Sequence, residues 1–308
     1  MLLLIIVLIL LLLLLSVVIY FFCVACLRWN IGNFDDVNDP CNRVLGEFKD
    51  AVGKGIEHIN STPCKWVETK SFDGLKIKAR YFDNGQKNTL IFFHGYRSSA
   101  SRDFSCALKF YTDLGLNILL VDQRSHGKSE GKLITFGVKE SRDVVSWVKF
   151  LNKEYSPEGI VLSGMSMGAT TVLLAAGGFL PENVKGIIAD CGYTSPTEII
   201  KSVALRFLKI KAQYLLPLIN LCCKAFGGFS IRKASTVESL KKCLLPVLLI
   251  HGEADTFVPC EMSRIAFKSC NNKSRLVTVE NAYHGMSFLV DGEKVKREIK
   301  DFLAKYVN

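Results

Sequence analysis

The pentapeptide Gly164-Met-Ser-Met-Gly168 sets one hydroxyl between two glycines, after the apolar run Gly159–Leu162 and before the small, apolar run Ala169–Ala176. A strand, a sharp turn and a helix are what a G-x-S-x-G pattern requires. The glycines allow the close backbone approach that such a turn needs, and the helix N-terminus beyond it favours negative charge. Ser166 is thereby the candidate nucleophile. A serine hydroxyl is weak at neutral pH and needs a general base, which in turn needs an orienting acid. The chain has five histidines: His58, His94, His126, His251 and His284. His284 lies in the polar, glycine-containing stretch Asn281-Ala-Tyr-His-Gly285, where a loop would let it swing over a sheet. His251 ends a buried run, so His284 is the preferred base and the other histidines are expected in structural hydrogen bonds. Two acids compete. Asp255, in His251-Gly-Glu-Ala-Asp-Thr-Phe-Val-Pro259, follows a strand end and is preferred; Asp190 ends the strand before it.

Acyl transfer places negative charge on a carbonyl oxygen, and positioned N–H donors stabilise it. Met167, directly after the serine, is one expected donor. Tyr96, in the loop after Phe92-Phe93-His94-Gly95, is the other. Its side chain would either add a hydroxyl donor or wall the pocket.

Positioning these groups takes an alternation of elements. Trp66–Ser71 and Leu75–Phe82 read as paired strands around Asp73-Gly74, followed by a strand at Thr89–Phe93. A helix is expected over Phe104–Leu114, then strand Asn117–Val121, helix Val138–Leu151 and strand Ile160–Leu162. Strands Val184–Ala189, Val247–Ile250 and Arg275–Val279 and a closing helix Glu293–Tyr306 complete the series. Apolar strands that alternate with helices imply a mostly parallel sheet covered on both faces. Pro196–Leu244 breaks the rhythm, with helix-like stretches at Ile199–Ile210 and Tyr214–Phe226, and is expected to form a cap over the strand ends.

With those motifs in place, the chain resembles α/β-hydrolase fold serine hydrolases. Gly164–Gly168 matches the nucleophile elbow, Phe93-His94-Gly95-Tyr96 the oxyanion loop, and His251–Pro259 and Tyr283-His284-Gly285 the acid and base loops. The chain order nucleophile, acid, histidine leaves His251 and His284 as the histidines after Ser166. Asp122-Gln-Arg-Ser-His126-Gly127-x-Ser129 resembles the loop after the next strand, where Arg124 and His126 are expected to hold loop backbone. The resemblance covers roughly Pro63–Asn308. It is similar to membrane-anchored or secreted hydrolases of uncertain substrate and to feruloyl-esterase-like and acyl-protein-thioesterase-like branches. It implies an α/β-hydrolase fold with a mostly parallel sheet, no metal and no organic cofactor. Relatives with epoxide hydrolase or haloalkane dehalogenase chemistry carry Asp at the elbow, so Ser166 points to an acyl-enzyme instead.

The expected organisation is a transmembrane anchor over residues 1–27, a linker with a short helix over 28–62, and a hydrolase domain over 63–308 with a cap at about 196–244. Leu2–Leu27 carries no charge, and as a helix it exceeds the ~30 Å hydrocarbon thickness. A cleavable signal would have a basic start and a shorter apolar region. The side of the membrane is left open. Eleven cysteines and no evident pairing framework point to free thiols packed as small hydrophobes. The cap holds nine basic residues against two acids, a large share of the chain's net +10. Basic amphipathic helices beside an anchor can lie on anionic lipid. The preferred expectation is a soluble cap with its apolar faces packed on the core. No nucleic-acid partner is expected, because no binding fold accompanies the charge.

The expected activity is hydrolysis of a small acyl or lipid-like ester or thioester at the membrane. The alternatives are a serine peptidase of the same fold and a non-catalytic binding module.

Overall fold

The computed structural model describes residues 1–29 and 32–307. Eight strands form one sheet in the order β1-β2-β4-β3-β5-β6-β7-β8. They are β1 Lys65–Lys70, β2 Lys76–Phe82, β3 Asn88–Phe93, β4 Asn117–Asp122, β5 Gly159–Met165, β6 Val184–Asp190, β7 Val247–Gly252 and β8 Arg275–Val279. β2 runs antiparallel to β1 and β4, and the strands from β4 to β8 are parallel. The helices in chain order are α1 Leu2–Cys26, α2 Lys49–Ser61, α3 Ala100–Asp103, α4 Leu108–Asp113, α5 Glu140–Glu154, α6 Met167–Ala175, α7 Pro196–Val203, α8 Leu216–Gly227, α9 Thr236–Lys242, α10 Glu261–Phe267, α11 Ser287–Val290 and α12 Gly292–Tyr306.

The central strands are apolar on both faces because both are covered. Ile91, Phe93, Leu119, Val121 and Leu162 pack on one side with Trp147 and Val148 of α5 and Val172 of α6. Leu90, Phe92, Ile118, Leu120 and Val161 pack on the other with Leu108 of α4 and Ile299 and Phe302 of α12. Helix starts carry their own signals. Ser195 caps α7 by accepting from Glu198 N at 3.2 Å, with Pro196 following, and Asp291 caps α12 through Lys294 N.

One segment differs from the sequence expectation, and two others carry added detail. The helix expected over 104–114 begins only at Leu108 of α4, because residues 104–107 form a turn after the short α3. Ser105 Oγ donates to the Arg102 carbonyl there, a local bond that competes with a continuous helix. In the segment expected to be a linker with a short helix, a 3-10 turn at Pro40–Phe48 leads into α2, whose Ile59 is buried beneath the sheet. The insertion between β6 and β7 is divided. Leu240 of α9 packs in the main core, while α7, α8 and the π-helical turn Ala204–Leu208 lie over the strand ends.

α1 is long and apolar enough to cross a membrane. It is not detached from the body. Residues 1–17 are exposed, but Val18, Phe22 and Cys26 are buried against Cys222 and Cys223 of α8 and against Ile134 and Phe136. The chain then pairs with the loop beyond: Ile134 N donates to the Cys26 carbonyl at 2.7 Å and Arg28 N to Lys132 at 2.8 Å.

Candidate active site

Ser166 stands between β5 and α6 with φ 54° and ψ −113°, a backbone region that non-glycine residues avoid. Its neighbours make that turn feasible. A Cβ on Gly164 would sit 2.3 Å from the backbone of Gly168, and one on Gly168 would sit 1.8 Å from the Phe93 carbonyl oxygen. Any larger residue at either place would force β3, β5 and α6 apart.

The structure brings the three expected side chains together across a span of 118 residues. Ser166 Oγ lies 2.9 Å from His284 Nε2, and His284 Nδ1 lies 2.6 Å from Asp255 Oδ2. The second oxygen of Asp255 accepts from the N–H groups of Phe257 and Val258, each at 2.9 Å. Burial pushes the Asp255 carboxyl up, but hydrogen bonding from His251 and His284 outweighs it and holds the group below its ordinary range. This acid therefore stays ionised, which fixes His284 with its proton on Nδ1 and Nε2 free to accept from Ser166.

His251 does not face Ser166. Its Nδ1 lies 2.6 Å from Ser263 Oγ, and its Nε2 lies 2.9 Å from the Val258 carbonyl and 3.3 Å from Asp255 Oδ2. It braces the acid loop from behind, a role the sequence did not distinguish from a general structural one. Asp190, the competing acid, makes no hydrogen bond to His284. Among the described residues its Oδ1 is buried without a partner, and burial pushes its pKa up to about 6. It lines a cavity of about 60 Å³ behind Met165, with Tyr111 and Ser163.

Met167 is fully buried and begins α6, so its N–H belongs to the helix turn that has no intrahelical acceptor. The loop of Gly95 and Tyr96 runs beside the serine: a Cβ on Gly95 would lie 3.5 Å from Ser166 Cβ. Asp103 pins that loop by accepting from Gly95 N at 2.7 Å and Ser98 Oγ at 2.6 Å, a contribution no local motif signalled. The Tyr96 hydroxyl points away from the site and donates to the Ala25 carbonyl of α1 at 2.8 Å, while its ring stacks on Phe136. Its side chain is therefore part of a wall.

His94 and His126 both hold loop backbone. Their Nε2 atoms accept from Gln123 N and Arg97 N, each at 3.1 Å. Arg124 departs from the expectation. Instead of loop carbonyls it pairs with Asp143 at 2.6 Å and with Asp73 at 2.9 Å, tying the β1–β2 turn to α5. Among the described residues, Cys191, Asp255 and His284 could together face a metal ion. The imidazole is already engaged on both nitrogens, and burial pushes the Cys191 thiol well up, away from the thiolate a metal needs.

The apolar cluster that reaches Met167, next to Ser166, draws on four places. Phe22 and Cys26 of α1, Cys223 of α8, Phe136, and Val258 of the acid loop pack in one cluster with Met167 and Tyr193.

Known proteins are similar to this chain in sequence and fold. The family described as serine aminopeptidase S33 matches residues 84–221, and that of TAP-like proteins matches residues 218–306. The uncharacterised protein YqkD of Bacillus subtilis is 29% identical, over 70% of this chain and 71% of its own. The thiohydrolase aneE of Aspergillus aculeatus is 28% identical, over 46% of this chain and 47% of its own. The esterase Pf2001 of Pyrococcus furiosus superposes with a TM-score of 0.67 at 26% identity, covering 82% of this chain and 94% of that one. With this sheet order, this elbow and these matches, the chain has the α/β-hydrolase fold, and the matches support a hydrolytic enzyme of that fold.

Proposed function

We propose that the chain is a membrane-anchored serine hydrolase that cleaves carboxylic esters or thioesters through an acyl-enzyme. The observation that carries this reading is the unbroken relay from Ser166 Oγ through His284 to the buried Asp255 carboxylate. Ser166 Oγ attacks the carbonyl carbon while His284 Nε2 takes its proton. Asp255 keeps the imidazole in the required tautomer and balances the imidazolium charge. The N–H groups of Met167 and Tyr96 receive the developing oxyanion. Collapse expels the alcohol or thiol, with the proton returned from His284 to the leaving group, and leaves the acyl group on Ser166. Water then attacks, deprotonated by the same imidazole, and the second collapse breaks the bond to Ser166 Oγ, which takes that proton back from His284 as the acid leaves. The membrane anchor is α1, supported by its length, its composition and its exposed first two-thirds.

A fluorophosphonate probe is expected to label the wild-type chain and spare Ser166→Ala. Equal labelling of both proteins would remove the reading. A second reading is amide cleavage, favoured by the serine aminopeptidase family that matches residues 84–221. The same relay serves both reactions, and comparing p-nitrophenyl esters with aminoacyl anilides separates them.

A further inference from the structure

We infer that the cap segment Leu205–Lys211, with its neighbour Tyr214, is a docking surface for an anionic lipid bilayer, and that the acyl substrate reaches Ser166 from that bilayer rather than from water. This rests on the serine hydrolase reading above and names where its substrate comes from.

The first observation is an exposed run that water does not explain. Every residue from 205 to 211 is exposed, and four of the seven are large and apolar. Leu205 is 57% exposed, Phe207 59% and Leu208 47%, and Tyr214 nearby is 78% exposed. The soluble cap expected from the sequence would have turned these side chains inward. The three other residues are Arg206, Lys209 and Lys211, and neither lysine has an ion-pair partner among the described residues. An apolar surface interleaved with cations is the chemistry of an anionic bilayer interface.

The second observation is continuity with α1. The Phe22 and Phe226 rings lie 5.8 Å apart where α1 packs on α8, and Phe226 and Leu221 of α8 remain exposed beside it. The part of α1 free of the body is Leu2–Val17. At ~1.5 Å per residue it is roughly 24 Å long, short of the ~30 Å hydrocarbon thickness. For α1 to span, the end of the body that holds α8 must sink into the interface.

The third observation links this surface to the chemistry. Arg206 Nη1 donates to the Thr256 carbonyl at 2.8 Å, in the acid loop next to Asp255. The Phe207 ring lies 6.2 Å from that of Phe257, which lies 5.0 Å from the His284 imidazole. An acyl chain leaving the bilayer at this segment meets an apolar path that ends at the relay. The substrate class is thus an amphiphile with a long acyl chain in ester or thioester linkage.

The test uses the full chain in phosphatidylcholine vesicles with and without phosphatidylglycerol. Two substrates are followed in parallel: a vesicle-embedded long-chain acyl ester and water-soluble p-nitrophenyl acetate. The triple variant Leu205→Ser, Leu208→Ser, Tyr214→Ser is expected to lose about tenfold or more on the embedded ester and to stay within about twofold on the soluble one. Equal loss on both, or loss on neither, overturns the inference. A second measurement is independent of that variant's folding. Leu208→Trp is expected to add fluorescence that bilayer-embedded brominated lipid quenches, more strongly when phosphatidylglycerol is present. No quenching beyond that of the three native tryptophans overturns the inference as well. If the wild type hydrolyses neither substrate and takes up no fluorophosphonate, the hydrolase reading fails, and the quenching result still decides the docking surface.

Discussion

Below Ser166 the chain is pinned by polar bonds between buried groups, and above it the covering is apolar contact between pieces far apart in sequence. On the lower side, Asp255 accepts from two backbone amides and is held by the imidazoles of His284 and His251, and Asp103 fixes the loop of Gly95. On the upper side, the rings of Phe22 and Phe136 and the thiols of Cys26 and Cys223 meet through apolar packing, while the directional bonds there run to the α1 backbone from Ile134, Tyr96 and Arg97. Directional bonds specify one geometry, because a misplaced buried donor or acceptor loses the whole bond. Apolar contact tolerates rearrangement at modest cost. The contrast assigns precision to the lower half and adaptability to the upper half, which must admit and release a substrate.

Substitutions can break or sharpen that contrast, and the largest effects are expected below the serine. Ser166→Ala or His284→Ala is expected to lower kcat by about 10⁶, read by ester hydrolysis, with thermal unfolding little changed. Asp255→Asn should cost about 10⁴ in kcat, since it removes the charge that sets the imidazole tautomer. A loss below tenfold would mean that the lower half is not specified as described.

Asp190 tests the same half through pH. Its pKa is raised to about 6, above its ordinary value near 3.8. The unfolded chain therefore releases this proton first as pH rises, and the folded chain binds more protons between about pH 4 and 6. Wild-type stability should fall across that window, by about 2–3 kcal/mol in total from this group. Asp190→Asn removes the decline, so denaturant unfolding of variant and wild type should diverge from pH 4 to 6 in the variant's favour.

The smallest expected effect lies in the upper half. Tyr96→Phe removes the hydroxyl bond to the Ala25 carbonyl but keeps the ring against Phe136. About 1 kcal/mol or less of stability and under threefold in kcat are expected, read by thermal unfolding and ester hydrolysis. A loss of a hundredfold would make the roof as exacting as the floor and erase the comparison.

The same division explains what the sequence discloses. The turn at Ser166 is legible because Gly164 and Gly168 are demanded by contacts of 2.3 and 1.8 Å, and such demands leave a fixed spacing. The strands are legible because burial on both faces makes them uniformly apolar. The polar loop around His284 marks the end of one of them. The packing of α1 is not legible: a helix apolar on every side carries no stripe to show that Val18, Phe22 and Cys26 are its inward face. The late start of α4 at Leu108 is hidden too, because Phe104, Leu108 and Tyr111 are all buried whether or not one helix carries them. The bracing by His251 and Asp103 depends on tertiary neighbours that local spacing does not name.

The union of α1 with the roof bears on how this protein can be handled. A version shortened at residue 27 to make it dissolve would delete Phe22 and Cys26 from the cover and leave the Tyr96 hydroxyl and the Arg97 guanidinium without their acceptors at residues 24, 25 and 27. Such a fragment would keep the relay and lose a wall, so its choice among acyl groups would describe an opened vessel and not the intact one. On the proposed reading of α1 as a membrane anchor, proteolytic release of the body would have the same result, coupling departure from the lipid to a change in what the site accepts.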